Sequence, residues 1–133
     1  MERVEGVHHV ALRCSDLGRC EAFYREALGL PVLRRWPADG GGDRSVWLSA
    51  GGGFLALERA DPGQAPAGTA APFEAAPCGW QVVALAIRPS DRDAWKARLH
   101  SLGVKVERES PWSIFLRDPE GNRVALSHWP EEA

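Results

Sequence analysis

The sequence predicts an α+β fold built from two copies of one βαβββ unit. Three kinds of segment recur in the same order, at offsets of 73, 74 and 69 residues. They are the first strand of each copy (His9 and Val82), the end of its helix (Leu28 and Leu102) and its last strand (Leu55 and Val124). Such a repeat indicates that one supersecondary unit occurs twice.

Local patterns give the elements of the first module, residues 4–59. The stretch Val7–Cys14 alternates apolar and polar residues, as a strand with one buried face does. Ser15-Asp16 offers an N-cap for a helix that runs to about Leu28 and stops at Gly29. Three further strands are expected at Pro31–Trp36, Ser45–Ser49 and Phe54–Arg59.

We predict that residues 60–79 form a linker, because a stretch this rich in proline holds neither a regular helix nor a central strand. The second module, residues 80–129, begins with a strand at Gln81–Arg88. Its helix starts near Ser90, with Asp93 as the acid of a capping box, and ends at Gly103. The remaining strands are expected at Val104–Glu107, Trp112–Arg117 and Arg123–Trp129, and all 133 residues are expected to form a single domain.

Composition restricts the class of protein. Apolar residues make up 44% of the chain, charged residues 26%, and the net charge is −2, so nothing favours a nucleic-acid partner. The longest apolar run is too short to cross a membrane, and the N-terminus lacks the apolar core of a secretory signal. Three cysteines without C-x-x-C spacing argue against a disulfide framework. We therefore expect a cytoplasmic protein without a membrane partner.

The order of short motifs resembles that of the vicinal oxygen chelate superfamily. These motifs are His-His-Val-Ala-Leu-Arg-Cys-Ser-Asp-Leu, then Phe-Tyr, Leu-Gly-Leu and finally Asp-Pro-Glu-Gly-Asn. The superfamily includes glyoxalase I, extradiol dioxygenases, fosfomycin-resistance thiol transferases and bleomycin-resistance proteins. The resemblance implies two βαβββ modules that form a cupped, barrel-like mixed sheet, assembly as a homodimer, and one divalent metal in the catalytic members.

The resemblance also implies where metal ligands would lie. They would be the first-strand His9, its counterpart Val82, and the residue before leucine on each last strand, Ala56 and Ala125. Three of these four positions have lost their donor, whereas a catalytic metal needs about three protein ligands. We therefore predict no metal cofactor. Whether the protein is an enzyme stays open, since the family's chemistry depends on the metal as a Lewis acid.

Polar residues on the predicted groove face are candidates for function. Glu58 shares the face of Ala56 and could form an acid–base pair with His9. Arg13, on the face of His9, could hold a carboxylate or phenolate. Each has a simpler interpretation: His9 as a strand histidine without a role, Glu58 as a charge paired with Arg59 or solvent, and Arg13 as a partner in a strand-end ion pair.

Aromatic residues provide candidate ligand contacts. Trp47 and Phe115 occupy matching strands of the two modules, and Trp129 follows Ser127 on the face of the last strand. These side chains could stack on a flat ligand, as expected of a small-molecule pocket. Alternatively, they fill the groove or seal a dimer interface.

Three functions are compatible with these residues. The leading hypothesis is a metal-independent protein that binds a small, aromatic molecule, similar to the bleomycin-resistance proteins. The second is a superfamily lyase, isomerase or dioxygenase that uses His9 and Glu58, with an atypical metal site or by acid–base catalysis. The third is a degenerate paralogue that acts as a structural or regulatory dimer partner.

Overall fold

The computed structural model describes residues 1–66, 72–75 and 78–133. Internal contacts divide the chain into two compact units, Met1–Ala65 and Pro66–Ala133. The boundary falls inside the predicted linker. Parts of that linker, residues 67–71 and 76–77, lie outside the described residues. No helix in the described part of the chain is long and apolar enough to cross a membrane.

The first unit contains four strands and one helical segment. The helical segment is an α-helix, α1 (Leu17–Ala22), that continues as a π-helical turn over Phe23–Ala27. The strands are β1 (His9–Cys14), β2 (Val32–Pro37), β3 (Asp43–Ala50) and β4 (Gly53–Arg59). The predicted order is confirmed, and each strand boundary differs from its prediction by two residues or fewer.

The four strands form one sheet in the order β1-β4-β3-β2. β1 runs parallel to β4, whereas β4, β3 and β2 are joined by antiparallel pairings. At the start of β4, a Cβ on Gly53 would lie 2.8 Å from the carbonyl oxygen of His8. Only glycine therefore allows the two backbones to approach this closely.

One face of this sheet packs under the helical segment. Leu55 and Leu57 of β4 alternate toward that side and are buried, as are Cys20 and Tyr24 of the helical segment. Asp16 caps α1, since its carboxylate accepts a hydrogen bond from the Arg19 amide at 3.1 Å. Both helix-side cysteines, Cys14 and Cys20, are free thiols buried in this core.

The second unit repeats the arrangement. Its elements are β5 (Val83–Ala86), α2 (Arg92–Ser101), β6 (Val106–Glu109), β7 (Ser113–Arg117) and β8 (Arg123–Ser127). The strand order is β5-β8-β7-β6, with β5 parallel to β8. The fold class is therefore α+β with two βαβββ modules, as predicted.

The strand registers show which residues of the two modules are equivalent. Ala11 pairs with Ala56 in the first sheet, and Ala84 pairs with Ala125 in the second. Ala56 also pairs with Trp47, and Ala125 with Phe115. Trp47 and Phe115 are thus structural counterparts, which confirms the offset read from the sequence. By the same registers, Ser45 corresponds to Ser113 and Glu58 to Ser127.

Several local predictions for the second module are wrong. The helix is preceded by a 3₁₀ turn at Pro89–Asp91, and no side chain caps α2, so Ser90 does not form the predicted capping box. Leu102, the counterpart of the buried Leu28, is 52% exposed because it lies just beyond the last helical turn. Trp129 lies outside β8, which ends at Ser127, and is 71% exposed.

The hairpin between β7 and β8 is fixed by the carboxylate of Asp118. One carboxylate oxygen accepts hydrogen bonds from the backbone amides of Glu120 (2.9 Å) and Asn122 (2.8 Å). The other accepts from the side-chain amide of Asn122 at 3.0 Å. Asp118 is only 5% exposed, so these bonds satisfy donors that solvent reaches poorly.

Asp118→Ala should therefore lower the free energy of unfolding by about 1–3 kcal/mol, because it leaves buried donors without an acceptor. Urea denaturation followed by circular dichroism measures the change. The matched control is Asp39→Ala, in the exposed turn before β3, which should change stability by less than about 0.5 kcal/mol. Equal effects of the two substitutions would contradict this role for Asp118.

Candidate functional site

The side of the first sheet that faces away from the helical segment carries most of the predicted site residues. We call it the site face. It is formed by His9, Ala11 and Arg13 of β1, Trp36 of β2, Ser45 and Trp47 of β3, and Phe54, Ala56 and Glu58 of β4. These residues share a face because side chains alternate along each strand and paired residues point the same way.

Aromatic rings form a continuous row across the site face. The ring of His9 stacks on Phe54, with centroids 4.8 Å apart and planes 8° from parallel. Phe54 in turn stacks on Trp47 at 4.5 Å, and Trp47 meets Trp36 edge to face at 5.1 Å. The guanidinium of Arg34 lies 3.7 Å from the Trp36 ring centroid, in cation–π geometry. The row thus crosses all four strands and ends in a cation.

Three buried hydrogen-bond donors on this face lack an acceptor. They are the indole Nε1 of Trp36, the indole Nε1 of Trp47 and the hydroxyl of Ser45, none of which bonds to any described residue. In the second module the counterpart of Ser45 is satisfied, since the hydroxyls of Ser113 and Ser127 lie 2.6 Å apart. A buried donor without an acceptor costs about 1–3 kcal/mol, so an acceptor that reached these groups would be bound favourably.

The structure places His9 and Glu58 on one face but does not join them. His9 is opposite Phe54, four residues before Glu58 on β4, which separates their Cα atoms by about 13 Å. Nδ1 of His9 lies 2.9 Å from Nδ1 of His8, an exposed residue that also contacts Phe54. His8 therefore belongs to the edge of the aromatic row. The acid–base role of His9 and Glu58 stays a prediction.

Arg13 lies at the end of β1, opposite Glu58, and forms no ion pair with any described residue. It lines a pocket of about 970 Å³ together with two arginines that sequence reasoning missed, Arg44 and Arg59. Glu58 lines the same pocket and is not paired with Arg59. The predicted strand-end ion pairs are thus not formed in the described part of the chain.

In the second module a linker residue, Phe73, packs on the equivalent face. Phe73, within a 3₁₀ turn at Phe73–Ala75, meets Phe115 edge to face at 5.0 Å. The guanidinium groups of Arg108 and Arg123 lie 4.4 and 4.7 Å from the Phe73 ring centroid. Phe115 therefore has a partner ring in the linker, whereas the ring contacts of Trp47 among the described residues are with Trp36 and Phe54 of its own sheet. Ligand contact by Phe115, Ser127 and Trp129 stays a prediction.

Charges on the second face are paired with each other. The carboxylate of Glu107 accepts hydrogen bonds from Arg117 and, at 2.9 Å, from Arg123. The bond from Arg117 is the main reason that the pKa of Glu107 is lowered, against the opposing effect of burial. Arg123 is only 7% exposed, so Glu107 supplies its necessary counter-charge.

The four positions where the resemblance places metal ligands do not fit a divalent metal. His9 offers one imidazole, while Ala56, Val82 and Ala125 carry only hydrocarbon. Among the described residues, no three His, Cys, Asp or Glu side chains lie together as a metal-binding group. Metals of this class need several nitrogen, oxygen or sulfur ligands. The prediction of no metal cofactor remains to be tested by experiment.

Comparison with known proteins identifies the family. The model of the glyoxalase/bleomycin resistance protein/dioxygenase superfamily matches residues 6–126. The chain therefore belongs to this superfamily, as the motif order predicts. No curated protein matches the sequence.

Solved structures support the same fold. The chain is similar to a lactoylglutathione lyase from Agrobacterium tumefaciens, with 26% identity and a TM-score of 0.71, covering 98% of this chain and 100% of the other. A glyoxalase/dioxygenase from Nostoc punctiforme is 21% identical, with a TM-score of 0.73 and coverage of 96% and 92%. The fosfomycin resistance protein FosX from Listeria monocytogenes, in complex with Mn(II), is 18% identical, with a TM-score of 0.70 and coverage of 94% and 93%.

The ion pairs of Glu107 predict a pH dependence of stability. Because its folded-state pKa lies below 4.5, the unfolded chain takes up the proton first as the pH falls. The stabilisation is therefore present above about pH 4.5 and is lost as the pH falls through the folded-state pKa. Glu107→Gln should flatten this part of the curve of unfolding free energy against pH, measured by denaturant titration from pH 3 to 7.

The control for this experiment is Glu5→Gln, at an exposed residue before β1. It should leave the slope below pH 4.5 as in the wild type. A Glu107→Gln curve parallel to the wild-type curve would contradict the proposed contribution of these ion pairs.

Proposed function

We propose that this protein binds a small aromatic molecule on the site face of its first module, without the family's divalent metal. The aromatic row that runs from His9 to Trp36 is the observation that carries the proposal. Rings of this kind gain from offset or edge-to-face contact with a further ring. His9 is exposed and Phe54, Trp47 and Trp36 are half-buried, so the row combines apolar surface with access.

The unsatisfied donors support a ligand that carries hydrogen-bond acceptors. A carbonyl or phenolate oxygen placed near Ser45 or the indole groups of Trp36 and Trp47 would complete bonds that the described residues leave unmade. Polar groups at fixed positions orient a ligand, whereas apolar contact alone leaves its orientation poorly defined. The protein would sequester this molecule and change no bond in it.

The other parts of the proposal follow from membership of the superfamily. Its members bind small molecules and often form dimers, and we propose a cytoplasmic homodimer here. The alternative is an enzyme that uses His9 and Glu58 for acid–base catalysis. The separation of about 13 Å between their Cα atoms, derived from the strand register, favours the binding protein over direct proton exchange between the two.

The absence of a family metal site can be tested by elemental analysis. Untagged protein is incubated with Mn²⁺, Ni²⁺, Zn²⁺ or Fe²⁺ and then desalted. We expect far less than one metal ion per chain, because one imidazole does not hold a divalent ion in place. Retention of about one ion per chain that is lost in His9→Ala would contradict the proposal and favour the enzyme.

Ligand binding can be tested with a neutral aromatic probe, 2-naphthamide, by isothermal titration calorimetry. Trp47→Leu should weaken its binding by about three- to tenfold, because it removes the central ring of the row. His9→Ala, at an exposed ring that contributes little to the core, should act in the same direction. Circular dichroism verifies that each variant is folded.

The matched control is Trp80→Leu, at a fully exposed tryptophan of the second unit. It should leave the affinity unchanged. If 2-naphthamide does not bind the wild type, or if Trp80→Leu weakens binding as much as Trp47→Leu, the aromatic site face is not the binding site.

A further inference from the structure

A pocket lies where the parallel strands β1 and β4 end. Its lining includes Arg13 from β1, Arg44 from β3 and Arg59 from β4, and it has a volume of about 970 Å³. The chain from residue 60 to residue 64 forms its outer wall. This wall is tied to β1 by a hydrogen bond of 2.9 Å from the amide of Ala60 to the carbonyl of Cys14.

No described carboxylate pairs with the three arginines of this pocket, whereas six other arginines of the described chain form ion pairs with carboxylates. Glu58 and Asp61 also line the pocket, but neither forms an ion pair with a described residue. The lining therefore carries three positive and two negative side chains. Arginines elsewhere form ion pairs with carboxylates. These pairs include Arg35 with Glu21 and Asp43, Arg92 with Glu109, Arg108 with Glu74, and both Arg117 and Arg123 with Glu107.

Guanidinium groups suit an anionic ligand. Each presents a planar fork of donors that matches the two oxygens of a carboxylate or phosphate. Arginine is also weakly hydrated, so an anion displaces its water at a lower cost than it would from lysine. Several such groups around one pocket, free of internal partners, are therefore suited to hold an anion that comes from outside.

We propose that this pocket, lined by Arg13, Arg44 and Arg59, binds an anionic group of the ligand while the aromatic part of the ligand lies on the row. The inference rests on the proposed function and names the ligand class: an aromatic carboxylate, sulfonate or phosphate. Arg13, Glu58 and Ser45 are directly paired across three strands, and Trp47 lies two residues from Ser45. At about 4.8 Å per strand and 3.3 Å per residue, the Cα atoms of Arg13 and Trp47 lie about 12 Å apart, a distance that the arginine side chain and a fused two-ring ligand span together.

Glu58 has a distinct part in this site. It lies in the pocket on the same face as Arg13, so its negative charge opposes entry of an anion. Removal of that charge should strengthen anion binding, whereas removal of an arginine should weaken it. Opposite effects of two neighbouring substitutions are difficult to produce by a change in fold alone.

The test compares 2-naphthoate with the neutral 2-naphthamide, which has nearly the same shape, by isothermal titration calorimetry at low salt. We expect the wild type to bind 2-naphthoate about tenfold more tightly, and added salt to reduce this difference. Arg13→Gln and Arg59→Gln should each weaken 2-naphthoate by about tenfold and leave 2-naphthamide unchanged. Glu58→Gln should tighten 2-naphthoate. A further probe, 2-naphthyl phosphate, distinguishes a phosphate ligand from a carboxylate ligand.

The control is Arg88→Gln, which removes the same charge from an exposed position in the second unit and should change neither affinity. Equal binding of the two probes, or equal effects of Arg88→Gln and Arg13→Gln, would overturn the anion pocket while the aromatic site stands. If neither naphthyl probe binds, the binding of inorganic pyrophosphate is measured, which tests the anion pocket by itself. Pyrophosphate binding that is lost in Arg13→Gln would retain the pocket without the aromatic site, and no binding would overturn both.

Discussion

The parallel pairing of the first and last strands determines how each module is built. The helical segment joins β1 to β2, which run in the same direction at opposite edges of the sheet, so this connection must cross one side of the sheet. One face is thereby committed to the core, which holds Leu55 and Leu57 of β4. Side chains at the alternate positions point to the opposite face of the sheet. That face does not pack on the helix and is therefore available for ligand contact.

The two modules use this common frame in opposite ways. In the second, the hydroxyls of Ser113 and Ser127 pair, and Glu107 forms ion pairs with two arginines. In the first, Ser45 has no acceptor among the described residues, and Arg13 has no counter-ion among them. Unmade bonds reduce stability but are available to a ligand. The division suggests that one copy contributes stability and the other contributes binding.

Much of the architecture could be predicted because alternation and repetition are local signals. The counterparts Trp47 and Phe115 were found from the sequence offset alone, and the strand registers confirm them. Boundaries were less accurate where a cap was expected, since Ser90 lies inside the 3₁₀ turn Pro89–Asp91 that precedes α2.

The site was only partly predictable. The alternation that placed Glu58 beside Ala56 also places Phe54 on the same face, so the centre of the aromatic row could have been found. Arg44 and Arg59 could not, because they belong to the opposite face by alternation and reach the pocket only where the strands end. The point where a strand ends depends on tertiary contacts, which the alternation of apolar and polar residues does not reveal.

The contact between Phe73 and Phe115 has a consequence for how this chain could diversify. A duplicated module begins with two equivalent surfaces, and here a single linker ring occupies one of them. Whether the second surface is open thus depends on a side chain of the connecting segment rather than on the sheet itself. Exchange of that one aromatic side chain would expose the second surface to a ligand of its own, with no change to the sheet of the first module.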